Sequence, residues 1–160
     1  MARRPSVAVT VGLIADTHGL LRPQALEVLV GSDFIIHAGD VGDATILDQL
    51  AAIAPVTVVR GNVDDGPEAA IWPETAVLTL GVVQIYVLHD LSSLAIDPAA
   101  DGYHAVIYGH SHKPVIERRG AVWFINPGSA GPRRFSLPIS VGSLQVHGTE
   151  ISATNIELRL

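Results

Sequence analysis

The sequence predicts an α/β fold: a four-layer α/β/β/α sandwich of two mixed sheets with flanking helices, formed by residues 1–160 as a single domain. Three observations predict it. The chain has the length of one ordinary domain, and 48% of its residues are apolar, enough for a substantial core. Strand-like and helix-like segments alternate in the first half of the chain. The second half contains strand-like segments separated by tight turns.

The alternation in the first half predicts a parallel sheet with right-handed crossovers. Pro23 and Gly31 have the preferred positions for a helix start and a helix end, and Asp43 is placed to cap a second helix. The predicted strands span residues 6–15, 33–37 and 55–60, and the predicted helices span residues 23–30 and 43–52.

The second half of the chain predicts a second sheet packed on the first. Two hairpins are expected, with turns at Gly81 and Gly120, and a last pair of strands turns near residues 147–148. The predicted strands span residues 75–80, 83–88, 104–108, 115–119, 121–125, 137–146 and 150–160.

Composition excludes several classes of protein. The chain has no cysteine, so it has neither disulfides nor thiolate metal ligands. A net charge of −6 without a Lys/Arg cluster gives no support for binding a nucleic-acid polymer. No apolar run approaches the ~20 residues of a membrane helix. Arg3 and Arg4 precede an apolar stretch as in an export signal, but that stretch ends at Asp16 without a cleavage site, so the predicted location is the cytoplasm.

Polar residues that can bind metals follow the predicted strands. In open parallel sheets, ligands bind beyond the carboxyl ends of the strands, where segments distant in sequence converge. We therefore expect these side chains to share one cavity, and they are Asp16, His18, Asp40, Asn62, His89, His110 and His112.

Spacing supports this interpretation. Asp16 and His18 are two residues apart, as are His110 and His112, and in extended backbone such residues point the same way. Each pair can then present two ligands to one cavity. Glycines that permit close approach of the backbone stand beside four of the ligands, at positions 19, 39, 61 and 109.

Carboxylate, imidazole and carboxamide ligands suit two divalent ions, with manganese preferred and nickel, iron, zinc, cobalt or magnesium as alternatives. Two ions roughly 3.5–4 Å apart can hold both the attacking and the leaving oxygen of a phosphoryl transfer. Asp40 is the expected bridge, because one carboxylate can offer an oxygen to each ion. With Asp16, Asp40 and a bound hydroxide, the net charge is about +1, which suits an anionic phosphoester substrate.

The ordered blocks of these residues resemble the calcineurin-like metallophosphoesterase superfamily. Within it, the chain length and Asn126-Pro127-Gly128-Ser129 resemble a small prokaryotic phosphodiesterase subgroup, related to a retromer subunit of eukaryotes. The resemblance runs from about Leu13 to Arg133. It implies one ion held by Asp16, His18, Asp40 and His112, and another held by Asp40, Asn62, His89 and His110. The blocks are Asp16-Thr17-His18-Gly19, His37-Ala38-Gly39-Asp40, Gly61-Asn62-Val63-Asp64, Leu88-His89 and Gly109-His110-Ser111-His112.

Two positions depart from the pattern of these relatives. Many members of the superfamily have a histidine, assigned to protonation of the leaving group, where this chain has Val63, and the small subgroup often has Cys there. In related chains Gly-His often follows the residue equivalent to His89, whereas here Asp90-Leu91 follow. We therefore assign no side chain as general acid. Metal-bound hydroxide is the expected nucleophile, and substrates with good leaving groups should be favoured. The expected catalytic residues are Asp40, Asn62 and His89, and the expected substrate contacts are Asn62 and Arg133.

Several neighbouring residues have two interpretations. His37 is read as an ordinary hydrogen-bonded strand histidine rather than a support for the ligands, and Asp64 as a turn or supporting carboxylate. Thr17 is read as a spacer. Residues 126–129 alone indicate a turn, whereas the resemblance suggests that they line the mouth of the site. Arg133 and Arg134 form either a phosphate clamp or a solvated basic pair.

Three functions fit the sequence. The first is a phosphodiesterase acting on a small-molecule substrate, such as cyclic or terminal nucleotide esters. The second is a scaffold that keeps the fold without the activity, and the third is a phosphomonoesterase for a small metabolite. The complete ligand set favours an enzyme. The apolar late strands leave a homo-oligomer open.

Overall fold

A computed structural model describes residues 8–160, so Ser6 and Val7 of the predicted first strand lie outside the described residues. The helices are α1 (Pro23–Leu29), α2 (Thr45–Ala51) and α3 (Gly66–Ala69), with one 3-10 turn at Leu91–Ser93. The strands are β1 (Val9–Ile14), β2 (Phe34–His37), β3 (Val56–Val58), β4 (Thr75–Leu80), β5 (Val83–Leu88), β6 (Ala105–Ile107), β7 (Val115–Arg119), β8 (Val122–Asn126), β9 (Ser140–His147) and β10 (Glu150–Glu157).

The strands form two mixed sheets of five, which confirms the predicted fold class. The first sheet has the order β10-β9-β1-β2-β3, in which β1, β2 and β3 are parallel and β9 runs antiparallel to β1. The second sheet has the order β4-β5-β6-β8-β7. The last hairpin therefore completes the first sheet, rather than extending the second sheet as its place in the sequence suggested.

The main core lies between the two sheets. Along β1, successive side chains alternate between faces: Leu13 points into the space between the sheets, and Ile14 points to the helices on the outer face. Both residues are fully buried. A strand covered on both faces is the continuous apolar run that marks β1 in the sequence.

The two outer layers differ in thickness. Leu29 of α1 and Leu50 of α2 pack on the outer face of the first sheet. On the second sheet, Leu91 and Leu94 of the 3-10 turn and the following loop cover a cluster around Tyr108. No helix among residues 8–160 is long and apolar enough to cross a membrane.

Local hydrogen bonds explain where elements differ from their predicted bounds. Asp43 is not the N-cap of α2, since Ala44 occupies that position, but its carboxylate accepts the backbone N–H of Thr45 (2.9 Å). The strand β3 is short because the next residues leave the sheet: the N–H of Arg60 donates to the carbonyl of Pro73 (2.8 Å). The helix α3 and the 3-10 turn had no counterpart among the predicted elements.

Candidate metal centre

All seven predicted ligands lie in loops that follow β1, β2, β3, β5 and β6, at one end of the sandwich. Their ligand atoms form two groups of three within 4.8 Å: Asp16, His18 and His112, and Asp40, His89 and His110. Asn62 joins the second group, because its Oδ1 lies 3.0 Å from His89 Nε2 and 3.2 Å from His110 Nδ1. The fold thus brings together every residue of the predicted set.

The backbone of these loops is unusual. Among the described residues, six non-glycine residues have positive φ, and five of them are candidate ligands: Asp16 (55°), His18 (47°), Asp40 (56°), His110 (73°) and His112 (62°). Left-handed backbone is uncommon outside glycine and gathers at functional sites. The expectation that each pair sits on extended backbone was therefore wrong, and His110 and His112 point into different groups.

A buried oxygen without a partner lies at the centre of the first group. Asp16 is fully buried, and its Oδ1 accepts no hydrogen bond. This oxygen lies 3.9 Å from His18 Nε2 and 3.7 Å from His112 Nε2. A buried polar atom without a partner is costly, and a cation among these atoms would satisfy it. The residues present therefore fit a metal ion.

Asp40 lies between the two groups. Its Oδ2 is 3.5 Å from His18 Nε2 and 3.2 Å from His89 Nε2. Its other oxygen, Oδ1, accepts the backbone N–H of Val63 (3.0 Å). The oxygen that faces both groups is therefore Oδ2 alone, whereas the sequence argument had assumed one oxygen for each ion.

A hydrogen bond to the backbone of Ala38 sets the orientation of the His89 ring. Its Nδ1 lies 2.7 Å from the carbonyl of Ala38, which can only accept, so Nδ1 carries the proton. Its Nε2 then faces Asn62 Oδ1 and Asp40 Oδ2. A histidine that donates its second nitrogen to a carbonyl while presenting the first to a cluster of oxygens is typical of metal ligands.

Protonation also favours cation binding at the first group. Burial lowers the pKa of His18, and burial together with the charge of Arg134 lowers the pKa of His112 to about 4. Both rings are then neutral at neutral pH and have a lone pair to offer. Burial raises the pKa of Asp16 to about 7, with the charge of Asp40 adding to the rise. A nearby cation would favour the ionised carboxylate.

The second group differs in charge. Burial opposes ionisation of Asp40, but hydrogen bonds from His89 and the Val63 N–H outweigh it and hold the pKa of Asp40 below its usual range. For His89, burial acts to lower the pKa, yet the hydrogen bonds to Asp40 and Ala38 raise it overall. His89 and Asp40 thus attract each other where the second ion is expected.

Glycines beside the ligands leave room for close contacts. A Cβ at Gly61 would collide with Oδ1 and the backbone nitrogen of Asp40, and one at Gly39 would lie 2.6 Å from His89 Nδ1. At Gly109, a Cβ would approach Asp16 Oδ2 to 3.0 Å. By contrast, Gly19 serves only its own turn, because its φ is +83° and nothing lies within 4 Å of its Cβ position.

A buried network connects the loops after β1 and β2. The N–H of Gly39 donates to Nδ1 of His37 (3.1 Å), so Nε2 of His37 carries the proton and donates to Thr17 Oγ1 (3.0 Å). The hydroxyl of Thr17 in turn donates to the carbonyl of Val41 (2.8 Å). Reading Thr17 as a spacer was wrong, and His37 supports the ligand loops although it contacts none of the ligands' side chains in this network. No spacing in the sequence signals this role.

Asp64 connects two further loops. Its Oδ1 accepts the N–H of Gly42 (3.0 Å), and its Oδ2 accepts the N–H of Gly61 (2.8 Å). The loop that contains Asn62 is thereby held against the loop that follows Asp40. Of the two readings that the sequence left open for Asp64, a turn residue or a supporting carboxylate, these hydrogen bonds favour the second.

Residues 126–129 do not line the mouth of the site. They are buried, and Nδ2 of Asn126 donates to the carbonyl of Gly109 (3.0 Å) and to Ser111 Oγ (3.1 Å). The hydroxyl of Ser129 donates to the carbonyl of Asp16 (3.0 Å). This segment therefore supports two ligand loops from beneath, a role that a turn-like sequence does not reveal.

The two arginines of the following loop have different surroundings. The guanidinium of Arg133, an expected substrate contact, donates to the carbonyl of Leu137 (3.2 Å) in its own loop. Arg134 is the arginine whose charge acts on Asp16, His18 and His112. Sequence alone could not choose between these adjacent residues.

An open cleft of about 310 Å³ lies beside the second group, lined by His89, Asn62, Asp90 and the Arg60–Glu74 ion pair (3.1 Å) among others. Asn62 and His110 are exposed, whereas Asp16, Asp40, His89 and His112 are buried. A larger cavity of about 390 Å³, near the β9–β10 turn at the other end of the sandwich, contains none of the candidate ligands. Of these two cavities, the cleft beside Asn62 is the one that adjoins the candidate ligands.

The chain is similar to several named proteins in sequence or in fold. Over 155 residues the chain is 30% identical to a probable metallophosphoesterase of Methanothermobacter thermautotrophicus, covering 89% of each protein. Over 168 residues it is 28% identical to phosphodiesterase YfcE of Escherichia coli K12, covering 88% of this chain and 90% of that protein. The structure of vacuolar protein sorting 29 from Cryptosporidium parvum superposes with a TM-score of 0.76 at 19% identity, covering 96% of this chain and 99% of that one.

A match to a family model shows the family of this chain. The model of the calcineurin-like phosphoesterase superfamily domain matches residues 9–149, a span that contains all seven candidate ligands. Together with the two groups of histidines and aspartates, this match identifies the chain as a member of the calcineurin-like phosphoesterase superfamily.

Proposed function

We propose that the chain is a metal-dependent phosphodiesterase that works through a dinuclear centre. The observation that carries this proposal is the position of Asp40 Oδ2, within 3.5 Å of a histidine from each group. The buried Oδ1 of Asp16, which has no partner, adds independent support. A relative named as a phosphodiesterase supports the reaction class.

In this proposal each ion has four protein ligands and Asp40 bridges the two. One ion is held by Asp16, His18, Asp40 and His112, and the other by Asp40, Asn62, His89 and His110. Manganese is the preferred ion and the cytoplasm the expected location. The catalytic residues proposed are Asp40, Asn62 and His89.

Two bound divalent ions would acidify a water for attack on phosphorus and neutralise charge on the phosphoryl oxygens. The protein's own contribution is to hold the ligands rigidly and to open one side. Asn62 and His110 form the exposed side, next to the cleft, so a substrate can approach there. Arg134 adds a positive charge that favours an anionic substrate.

The principal experiment compares metal content with turnover. The wild-type protein should bind two ions, lose phosphodiesterase activity on chelation, and regain it with Mn²⁺. Asp40→Ala should lose both ions and at least about 10³-fold in kcat/KM, because it removes a ligand that both ions share. A metal-loaded protein that hydrolyses neither diesters nor monoesters would rule out the proposed activity.

The leaving group should limit the rate of a phosphodiester. The motif of many members of the superfamily has a histidine, assigned to protonation of the leaving group, where this chain has Val63, which is 41% exposed. Without a side-chain acid, the leaving oxygen departs with its negative charge, so activated esters should react faster. A series of aryl phosphodiesters of graded leaving-group pKa measures this. Rates that do not depend on that pKa, with chemistry rate-limiting, would contradict it.

A scaffold role is the second candidate, because the fold is shared with vacuolar protein sorting 29. Val82 (68%) and Ile71 (82%) are exposed apolar residues that a protein partner could cover. A stable partner in a pull-down, together with normal cellular function of Asp40→Ala, would favour this candidate. Kinetics on matched diesters and monoesters separate the third candidate, a phosphomonoesterase.

A further inference from the structure

Asp90 follows the candidate ligand His89 directly and is held in place by its own turn. Its Oδ1 accepts the backbone N–H (3.0 Å) and the hydroxyl (2.8 Å) of Ser92, which caps the 3-10 turn. The second oxygen, Oδ2, is directed to a different residue: it lies 3.8 Å from Nε2 of His110. Asp90 thus connects a fixed turn to the most exposed histidine of the centre.

His110 needs an external partner more than the other candidate histidines. Its side chain is 47% exposed, against 17% for His18, 6% for His89 and 3% for His112. Packing therefore restrains its ring less. His89 has a carbonyl behind its Nδ1, that of Ala38. Behind the Nε2 of His110, the corresponding position is occupied by the carboxylate of Asp90.

The two ring nitrogens of His110 face different surroundings. Nδ1 lies 3.2 Å from Asn62 Oδ1, on the side of the second group, and Nε2 lies on the side of Asp90. A carboxylate can only accept, so it favours the tautomer with the proton on Nε2 and the lone pair on Nδ1. Closing the 3.8 Å separation to a hydrogen bond takes about 1 Å of movement between two partly exposed side chains.

We propose that Asp90 is a positioning residue for the second ion: its carboxylate accepts Nε2–H of His110 and thereby directs Nδ1 to the ion shared by Asp40, Asn62 and His89. A carboxylate behind a histidine ligand fixes the ring and strengthens the ligand, and its loss commonly lowers metal affinity 10–100-fold. The proposal rests on the dinuclear centre proposed above. It assigns a role to Asp90, which stands where related chains often have the first residue of Gly-His.

Two variants in the same loop separate this role from capping of the turn. Asp90→Asn keeps the size of the side chain and an oxygen for Ser92, but removes the carboxylate behind His110. Asp97→Asn is the matched control. Asp97 also caps a turn, because its side chain accepts the N–H of Ala100 (3.3 Å), and the substitution removes the same negative charge as Asp90→Asn. Zn²⁺ titration by calorimetry measures the two affinities, and ¹⁵N NMR of the metal-free protein, at a pH where the ring is neutral, reports the tautomer of His110.

Asp90→Asn should weaken one of the two Zn²⁺ sites about tenfold, leave the other unchanged, and reduce the population of the Nε2–H tautomer. Asp97→Asn should match wild type in all three. Equal affinities in Asp90→Asn and Asp97→Asn, or equal weakening of both sites, would overturn the role of Asp90, as would a wild-type protein that binds no Zn²⁺. A wild-type protein that binds two ions but hydrolyses no phosphoester would overturn only the proposed activity.

Discussion

His37 shows how a single buried residue contributes to the centre without being a ligand. It is fully buried, and burial lowers its pKa to about 4. Its ring is therefore neutral in the folded protein, with Nδ1 accepting from Gly39 and Nε2–H donating to Thr17. The unfolded chain has no such constraint, so its histidine titrates near 6.5.

This difference predicts an acid-sensitive fold. Between about pH 6.5 and 4 the unfolded chain binds a proton that folded His37 does not, so the free energy of unfolding falls as pH falls through that range. The loss is at most about 3 kcal/mol. In His37→Asn the unfolding free energy should be lower at pH 7 but should depend less on pH. Urea denaturation with EDTA present, from pH 4 to 7.5, measures both. Parallel pH profiles for the two proteins would contradict the prediction.

At the scale of residues, the sequence predicted which side chains the fold gathers into two groups better than it predicted the surroundings of those side chains. Asp16, His18 and Asp40 could be chosen because carboxylates and imidazoles placed directly after buried strands are typical of metal sites. Their left-handed backbone and the hydrogen bonds of Thr17 could not be predicted. Those features depend on contacts between loops that are distant in sequence.

The ligand loops are elements in which conformation and spacing act together. Gly61 is the clearest case, since a Cβ there would collide with Asp40. Asp40 already has positive φ and accepts the N–H of Val63, so it has little freedom to move aside. The loop after β3 is therefore fitted to the loop after β2.

Gly61→Ala should disturb the centre more than the fold. Overpacking costs about 1–3 kcal/mol of stability, and displacement of Asp40 should weaken the binding of both ions. Gly81→Ala is the matched control: nothing lies within 4 Å of its Cβ position, and its φ of +61° costs about 1–2 kcal/mol of strain. Thermal melts should show a similar loss of stability in the two variants. Metal stoichiometry should show loss of metal only in Gly61→Ala. Full metal content in Gly61→Ala would contradict this.

The segment at residues 126–129 permits a second test of an element. Asn126→Ala removes the two hydrogen bonds that Nδ2 donates, to the carbonyl of Gly109 and to Ser111 Oγ. It also removes Oδ1, which accepts the buried N–H of Gly128 (2.9 Å). The unfolding free energy should fall by about 2–3 kcal/mol even without metal. Chemical denaturation of the metal-free protein measures it. A change below about 0.5 kcal/mol would show that the segment does not support the ligand loops.

Element positions followed from the sequence, whereas the pairing of the last hairpin did not. Alternating apolar residues and glycine turns predicted the hairpin β4–β5, which pairs as expected. The same signals located β9 and β10 but contained no information on their neighbour. The hairpin joins β1, with Leu13 opposite Gly142, because that edge of the first sheet needs covering.

At the scale of the molecule, metal binding should be coupled to stability. The ligands come from loops after five strands of both sheets, so the unfolded chain cannot reproduce the site. An ion at 100 times its Kd then stabilises the fold by about 2.7 kcal/mol, which is about 5–10 °C in Tm for a domain of this size.

Variants should separate the parts of this stabilisation that come from each ion. The Tm of the wild-type protein should be higher with Mn²⁺ than with EDTA. His112→Ala should keep roughly half of this difference in Tm, and Asp40→Ala should lose all of it. Differential scanning calorimetry at several Mn²⁺ concentrations measures the effect. Asp40→Ala that gains as much from Mn²⁺ as His112→Ala does would show that Asp40 is not shared between the ions.

The antiparallel pairing of β9 with β1 also bears on synthesis of the protein. All seven candidate ligands precede β9 in the chain, yet the strand that leads into Asp16 and His18 obtains its second neighbour only from β9. On the ribosome, the ligands therefore emerge before β1 is enclosed, and an exposed apolar strand edge invites pairing with other chains. A nascent chain that ends before β9 would contain every candidate ligand and would still expose the edge of β1, so it should be prone to aggregate.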